Sequence, residues 1–371
     1  MTSLALAIAA VMYLRGDAGG RVVARDLDSN GSGKLTLLSK SYTIDRLYQS
    51  MMGPASHQQN IHLVDNDKRS LLWLTGVRCD LVDSDGKSTA SQDFFCHSNL
   101  TFATLPDGSK PEPDGRTACA EGRLFTLVPG RMELSLPEGF GVPVYSDELL
   151  DSFTMALNLN HRGQPVKLKF RTCVLFAQNS SAASNEMKPL FRRALYAYEP
   201  IDRASPHAMC MGGDTAGATC GPFIGKAASN AFLASIGKTN TVHWLIPPGH
   251  FESRVDVTDQ FDLPYDTTAH YVTGHLHPFG RSVSLVDATD NKTLLTIHAK
   301  DFADRLGVES IDQWSSKEGL DLTKGHKYEL VTEYNNPTDK PIDAMSIMYV
   351  YAKDKSFRAG PNSVAWASRP R

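Results

Sequence analysis

Short runs in which apolar and polar side chains alternate recur along most of the chain, and alternation with period two marks strands that bury one face. Val166-Lys167-Leu168-Lys169-Phe170 alternates strictly, and Ser253-Arg254-Val255-Asp256-Val257 does the same. Leu71-Leu72-Trp73-Leu74-Thr75-Gly76-Val77 is a nearly continuous apolar run of strand length. Turn chemistry separates such runs at Asp83-Ser84-Asp85-Gly86, Pro106-Asp107-Gly108 and Pro113-Asp114-Gly115. The segments Ser282–Val286 and Leu294–Ile297, joined by the polar stretch Asp287–Lys292, predict a hairpin. Helix is scarce, with at most a turn or two over Asp301–Leu306. Strands of this length and spacing predict an all-β protein built from antiparallel jelly-roll-like β-sandwiches.

The 371 residues exceed one small core and suit two domains. Between residues 201 and 235 the composition shifts to Gly, Ala, Ser and Thr, which marks a linker. The expected sandwiches are therefore residues 35–200 and 236–355. Residues 1–20 hold the apolar run Ser3–Leu14, too short to span a bilayer but suited to an export signal or a short anchor, although its one basic residue, Arg15, follows the run. A secreted or extracytoplasmic location is expected, with the membrane touched only through that segment.

Six cysteines form an even set without a C-x-x-C, which fits disulfides in an oxidising compartment and gives no support to a zinc ribbon or a thioredoxin-like site. The expected pairs are Cys210–Cys220 across the linker and Cys79–Cys173 between neighbouring strands. N-x-S/T sequons at Asn30, Asn99, Asn179 and Asn291 are compatible with export. A net charge of −3 with 21% charged residues gives no basic patch, so nucleic acid is not an expected partner. Asp26–Gly33 opens like a calcium loop, but position twelve is Leu37 where a bidentate Glu is needed, so it reads as a polar turn before the first strand.

Candidate chemistry lies near the carboxy terminus. His275 and His277 are two residues apart in a strand-like stretch, so their imidazoles share a face and can grip one metal ion. The later segment Asp343–Tyr351 carries Met345 and Met348. Two imidazoles and a thioether suit copper that cycles through Cu(I); a surface histidine pair and core-filling methionines are the alternative reading. His243, His250 and His270 lie close in sequence, and the first and last of these read as supporting or surface groups. Met348, an odd number of positions from Met345, is expected on the opposite face.

These residues fall in an order that resembles the copper type II, ascorbate-dependent monooxygenases, the family of peptidylglycine α-hydroxylating and dopamine β-monooxygenases. Ile246-Pro247-Pro248-Gly249 resembles the family's I-P-P-G strand entry, followed by the H-x-H and then by the D-x-M segment running into Ile347-Met348-Tyr349-Val350-Tyr351. Leu136–Gly141 and Leu157–His161 resemble its L-P-x-G-x-G segment and the strand histidine after it, with Cys173 beyond, while Phe95-Cys96-His97-Ser98 stands where the family has two adjacent histidines. The similarity touches most of residues 70–175 and 240–352.

The resemblance implies His275, His277 and Met345 as ligands of an oxygen-binding copper. It also implies a second, electron-transferring copper in the first half, at His97, His161 and the position held here by Cys96. Cys96 departs from the family; it can serve as a thiolate ligand or be locked in a disulfide, with His57 and His62 as spare candidates. The activity so implied is hydroxylation of a C–H bond in a small molecule or peptide by O2, with ascorbate or a similar reductant. A non-catalytic copper-binding or interaction protein on the same scaffold is the alternative. A tandem jelly-roll amidase would need paired carboxylates, and Asp147 and Glu148 show no arrangement that singles them out.

Overall fold

The computed structural model describes residues 20–50, 52–65, 68–103, 122–179, 187–204 and 239–359. The chain is all-β and folds as two tandem antiparallel jelly rolls. The first contains β1 (Arg21–Leu27), β2 (Ser32–Leu38), β3 (Tyr42–Ile44), β4 (Ala55–Ile61), β5 (Leu71–Asp83) and β6 (Phe95–Phe102). It continues through β7 (Arg123–Leu127), β8 (Glu133–Ser135), β9 (Phe140–Tyr145), β10 (Leu150–Ala156) and β11 (Val166–Gln178). One layer runs β1-β2-β11-β5-β9 and the other β4-β10-β6-β7. The antiparallel pairs β6–β7, β5–β9, β4–β10 and β2–β11 are nested in sequence and fall alternately in the two layers. This is one long hairpin rolled up, which is what defines a jelly roll.

The second roll repeats the scheme. It contains β12 (Lys188–Tyr196), β13 (Glu199–Pro200), β14 (Asn240–Thr241), β15 (Trp244–Ile246), β16 (Gly249–Asp256) and β17 (Thr267–Leu276). Then follow β18 (Gly280–Asp287), β19 (Lys292–Asp301), β20 (Val308–Ile311), β21 (Gln313–Leu322), β22 (Tyr328–Asn336), β23 (Ile342–Ala344) and β24 (Ser346–Lys353). Its nested antiparallel pairs are β18–β19, β17–β21, β16–β22 and β12–β24.

The two rolls do not divide at residue 200. β12 pairs along its length with β24 of the second roll, whereas its strand pairing with the first roll is a two-residue parallel one with β9. That short pairing joins one layer of each roll into an 11-stranded sheet. The apolar run of β12, with Leu190, Phe191, Ala194, Leu195 and Tyr196 buried, specifies a strand but not which roll it completes. The segment expected to direct export, most of the expected linker and Cys119, Cys210 and Cys220 lie outside the described residues. Among the described residues no helix is long and apolar enough to cross a membrane.

The hairpin at 282–297 is β18–β19. The Asp28 turn joins β1 to β2 rather than preceding the first strand, and Oδ1 of Asp28 accepts the backbone N–H groups of Asn30 and Ser32. Asp301–Leu306 is not helical, and among the described residues the α-helical turn is Thr258–Phe261. Asn99 is 1% exposed in β6, so that sequon is closed to glycosylation in the folded chain.

The Cys79–Cys173 disulfide is not formed, and both residues, like Cys96, carry thiols. The register explains why: Cys79 stands opposite Thr172 and Cys173 opposite Arg78. An offset of one residue on neighbouring strands sends the two side chains to opposite faces of the sheet.

Direct bonds hold one roll to the other. The Tyr351 hydroxyl donates to the Leu124 carbonyl at 2.9 Å, and Arg305 Nε lies 2.9 Å from the Asp93 carboxylate. Gln92 Nε2 donates to the Glu309 carbonyl at 3.2 Å, and Arg131 Nε to the Ile311 carbonyl at 2.9 Å.

Candidate metal centre

The alternation of β17 decides where its histidines point. A Cβ placed on Gly274 would meet Val283 Cγ1 at 3.2 Å and Ile297 Cγ2 at 3.3 Å, so that position faces the interior of the second roll. Its neighbours Thr273 and His275 therefore face the other way. On that outer face Tyr271 stands opposite Tyr351, and the Tyr351 ring stacks on Phe125 of the first roll with centroids 5.9 Å apart. The H-x-H pair thus lies on the side of the second roll that the first roll covers. His275 and His277 are 4% and 5% exposed.

Their rings meet edge-on, with centroids 5.2 Å apart. Neither nitrogen of His275 has a hydrogen-bond partner although both are buried. Burial, reinforced by the nearby His277, His97 and His243, pushes the His275 pKa well below the ordinary imidazole value, so the ring is a neutral base with available lone-pair density.

His277 is held on all sides. Its backbone N–H is shared between the Met345 carbonyl and the Tyr334 hydroxyl, each at 3.3 Å, and Tyr334 in turn donates to the Met345 carbonyl at 2.6 Å. Nδ1 lies 2.7 Å from Asp343 Oδ2, and Nε2 lies 3.3 Å from Oγ of Ser50, a residue of the first roll. Because β17 and β24 are antiparallel and His275 stands opposite Ile347, Met345 falls opposite His277 and shares its face. Met345 is fully buried at the break between β23 and β24.

A two-stranded ribbon delivers two further groups. β15 and β23 pair with Trp244 opposite Ala344 and Leu245 opposite Asp343, which sets His243 beside the carboxylate. The I-P-P-G segment turns the chain from this ribbon into β16; Asn336 Nδ2 ties the Pro247 carbonyl at 3.2 Å, and Gly249 adopts φ 90°, a conformation costly for a residue with a Cβ. His243 is 6% exposed, its ring centroid is 5.4 Å from that of His277, and its Nδ1 is 3.7 Å from Asp343 Oδ1. Burial alone would raise the Asp343 pKa, but the imidazoles of His277 and His243 outweigh it and hold the carboxyl well below its usual range. His243, His277 and Asp343 form a group whose ligand atoms lie within 4.8 Å of one another.

The donors fit a transition metal. Buried polar atoms without partners each cost about 1–3 kcal/mol, and four belong to the residues around His277: both nitrogens of His275, Nδ1 of His243 and Oδ1 of Asp343. Coordination satisfies such atoms, and imidazole with thioether or carboxylate covers the preferences of copper, zinc and iron.

In the first roll the β6–β10 register pairs Met155 with His97 and Ala156 with Phe95, leaving Cys96 as the extra residue of a bulge. The bulge supplies the irregularity that adjacent ligands require: Cys96 Sγ and His97 Nδ1 are 3.2 Å apart, and the His97 ring stacks on Phe153. His161 is engaged elsewhere, with Nε2 3.0 Å from the Gln164 carbonyl and its ring edge-on to Phe94. Among the described residues, no group of three histidine, cysteine or carboxylate ligands contains His97, Cys96 or His161. His57 pairs with Asp151 at 2.8 Å and His62 Nδ1 lies 3.3 Å from the Ser146 carbonyl, so both spare candidates have other partners. His270, far from the cluster along β17, stacks on Phe140 with centroids 4.0 Å apart and bonds Thr268 and the Ser316 carbonyl.

Sequence reasoning missed Asp343 and undervalued His243. The D-x-M spacing did carry a signal, since residues two apart on a strand share a face and Asp343 stands two before Met345.

No protein-family model matches the chain, and no curated protein matches it. Among solved structures it is similar to the crystal structure of the STIV MCP, with 9% identity over 85% of this chain and 97% of that one and a TM-score of 0.26.

Proposed function

We propose that the protein is a copper-dependent monooxygenase that hydroxylates a C–H bond of a small molecule or peptide with O2 and a reductant such as ascorbate, acting outside the cytoplasm. The observation that carries this reading is His275, a buried imidazole with neither nitrogen bonded, beside His277, which itself stands across from Met345. Bound there, copper would supply one-electron activation of O2. The residues supply the rest. His275 and His277 offer neutral nitrogens, and Asp343 fixes the His277 ring by taking its Nδ1–H. The Met345 thioether favours the reduced ion. Tyr334 anchors the strand break that carries Met345, and the first roll excludes water from the ligand face.

The Cys96–His97 pair is the proposed position of the electron-transferring copper. The absence, among the described residues, of a third ligand grouped with it favours a second reading, a non-catalytic copper-binding or interaction protein on the same scaffold. Substrate-dependent O2 uptake by the copper-loaded chain with ascorbate, together with incorporation of labelled oxygen from O2 into product, separates the two. Uptake abolished by His275→Ala supports the enzyme; copper bound without any uptake across peptides and small molecules supports the binding protein.

A further inference from the structure

We propose that His243, His277 and Asp343 form a second metal seat, for a borderline divalent cation such as zinc, on the edge of the His277 ring opposite the one that faces Ser50. It goes beyond the copper reading, which uses His275, His277 and Met345. Nδ1 of His277 points at Asp343 and Nε2 at Ser50, so the ring presents its two nitrogens to two separate places.

The geometry on the Nδ1 side is that of a site waiting for an ion rather than a finished hydrogen-bond network. Asp343 reaches His277 at 2.7 Å but stands 3.7 Å from His243 Nδ1, too far for a hydrogen bond. The two atoms across that wider gap, His243 Nδ1 and Asp343 Oδ1, are buried and unpartnered. Donors that share an ion at 2.0–2.2 Å in tetrahedral geometry lie roughly 3–3.5 Å apart, between the two distances observed. Closing the long gap and opening the short one by a few tenths of an ångström seats the ion. On binding, Nδ1 of His277 gives up its proton and Nε2 takes one up, so the ring stays neutral, donates its Nδ1 lone pair to the metal and turns an Nε2–H toward Ser50 Oγ.

The donor set decides the class of cation. Two imidazoles and one carboxylate, with no sulfur, match zinc and catalytic or structural sites like it, whereas the opposite edge offers imidazole and thioether and matches Cu(I). The ribbon β15–β23, which carries Asp343 and is entered from His243, is tied to β16 through the I-P-P-G turn, so occupancy of this seat would fix the same segment that positions Met345.

The test titrates the metal-free full chain separately with Zn²⁺ and with Cu(I), and records the zinc K-edge of the loaded wild type. Expected are one zinc surrounded only by nitrogen and oxygen with two imidazoles, zinc affinity lowered at least a hundredfold in His243→Gln and Asp343→Asn, and zinc affinity retained in His275→Gln and Met345→Leu. Cu(I) should show the reverse dependence on His275 and Met345. A sulfur neighbour at the zinc edge, or unchanged zinc affinity in His243→Gln, overturns the seat. Because the edge spectrum uses the wild type, a variant that fails to fold does not shelter the proposal. Absence of zinc with copper bound as expected sinks this inference and leaves the copper reading standing; absence of copper does the opposite.

Discussion

Met345 accepts the backbone N–H of His277 at 3.3 Å, so the register of β17 and β24 continues one step past the end of the strand and sets a thioether across from an imidazole. Were Met345 merely core filler, its replacement would change stability alone. Met345→Ala should cost about 2–5 kcal/mol, as for other buried large-to-small changes. In addition it should leave Cu(II) largely bound while weakening Cu(I), because the thioether mainly stabilises the reduced ion. Paired Cu(I) and Cu(II) titrations with a denaturant melt check both halves; equal loss of both oxidation states contradicts the assignment.

The thiols give a second prediction. Burial pushes the Cys79 thiol up to about 12, whereas Cys173 on the other face of the sheet is half-buried. At pH 8 roughly one Cys79 in ten thousand is thiolate on that value. A maleimide or iodoacetamide should therefore label Cys173 in the native chain long before Cys79, read by peptide mapping. Recovery of a Cys79–Cys173 cross-linked peptide would contradict the register that separates them.

The jelly-roll architecture was legible because alternation such as Val166–Phe170 and the turn clusters between runs are local signals, read one strand at a time. Assignment of β12 was not, since a buried apolar strand fits any roll that lacks one and only the β24 edge decides. The H-x-H face was legible for the same reason as the strands. His243 and Asp343 were not, because a cross-strand pair between β15 and β23 joins positions a hundred residues apart. The Cys96 bulge likewise depends on how β6 meets β10 and leaves no mark in the sequence of β6 alone.

His270 supplies a pH prediction. Burial, with Lys353 and Lys188 nearby, lowers its pKa below the ordinary value, against a weaker opposing effect from the Ser316 carbonyl. Above about pH 6.5 the ring is neutral folded and unfolded alike, and its contribution to stability is complete. As pH falls below that value the unfolded chain takes up a proton that the folded chain refuses, and stability is lost toward the folded pKa. The denaturation midpoint of wild type should thus drop more steeply between pH 7 and 5 than that of His270→Gln; parallel curves would contradict the burial assigned to this ring.

The two rolls should unfold together. Tyr351, fully buried in β24, reaches across to the Leu124 carbonyl, and Arg305, also of the second roll, meets Asp93 of the first. Tyr351→Phe removes one hydrogen bond and leaves a buried carbonyl, at a cost of about 1–3 kcal/mol. Calorimetry should show a single transition shifted down in the variant. Two separate transitions in wild type would mean that the rolls are independent.

Copper-edge X-ray absorption on the reduced, copper-loaded full chain tests whether His275, His277 and Met345 hold one copper ion. Expected are nitrogen scatterers with imidazole signatures at about 2.0–2.1 Å, one longer sulfur contribution, and loss of both the sulfur contribution and the bound copper in the His275→Ala, His277→Ala double variant. A spectrum without sulfur in wild type, or a double variant that keeps its full copper complement and the same spectrum, would contradict it.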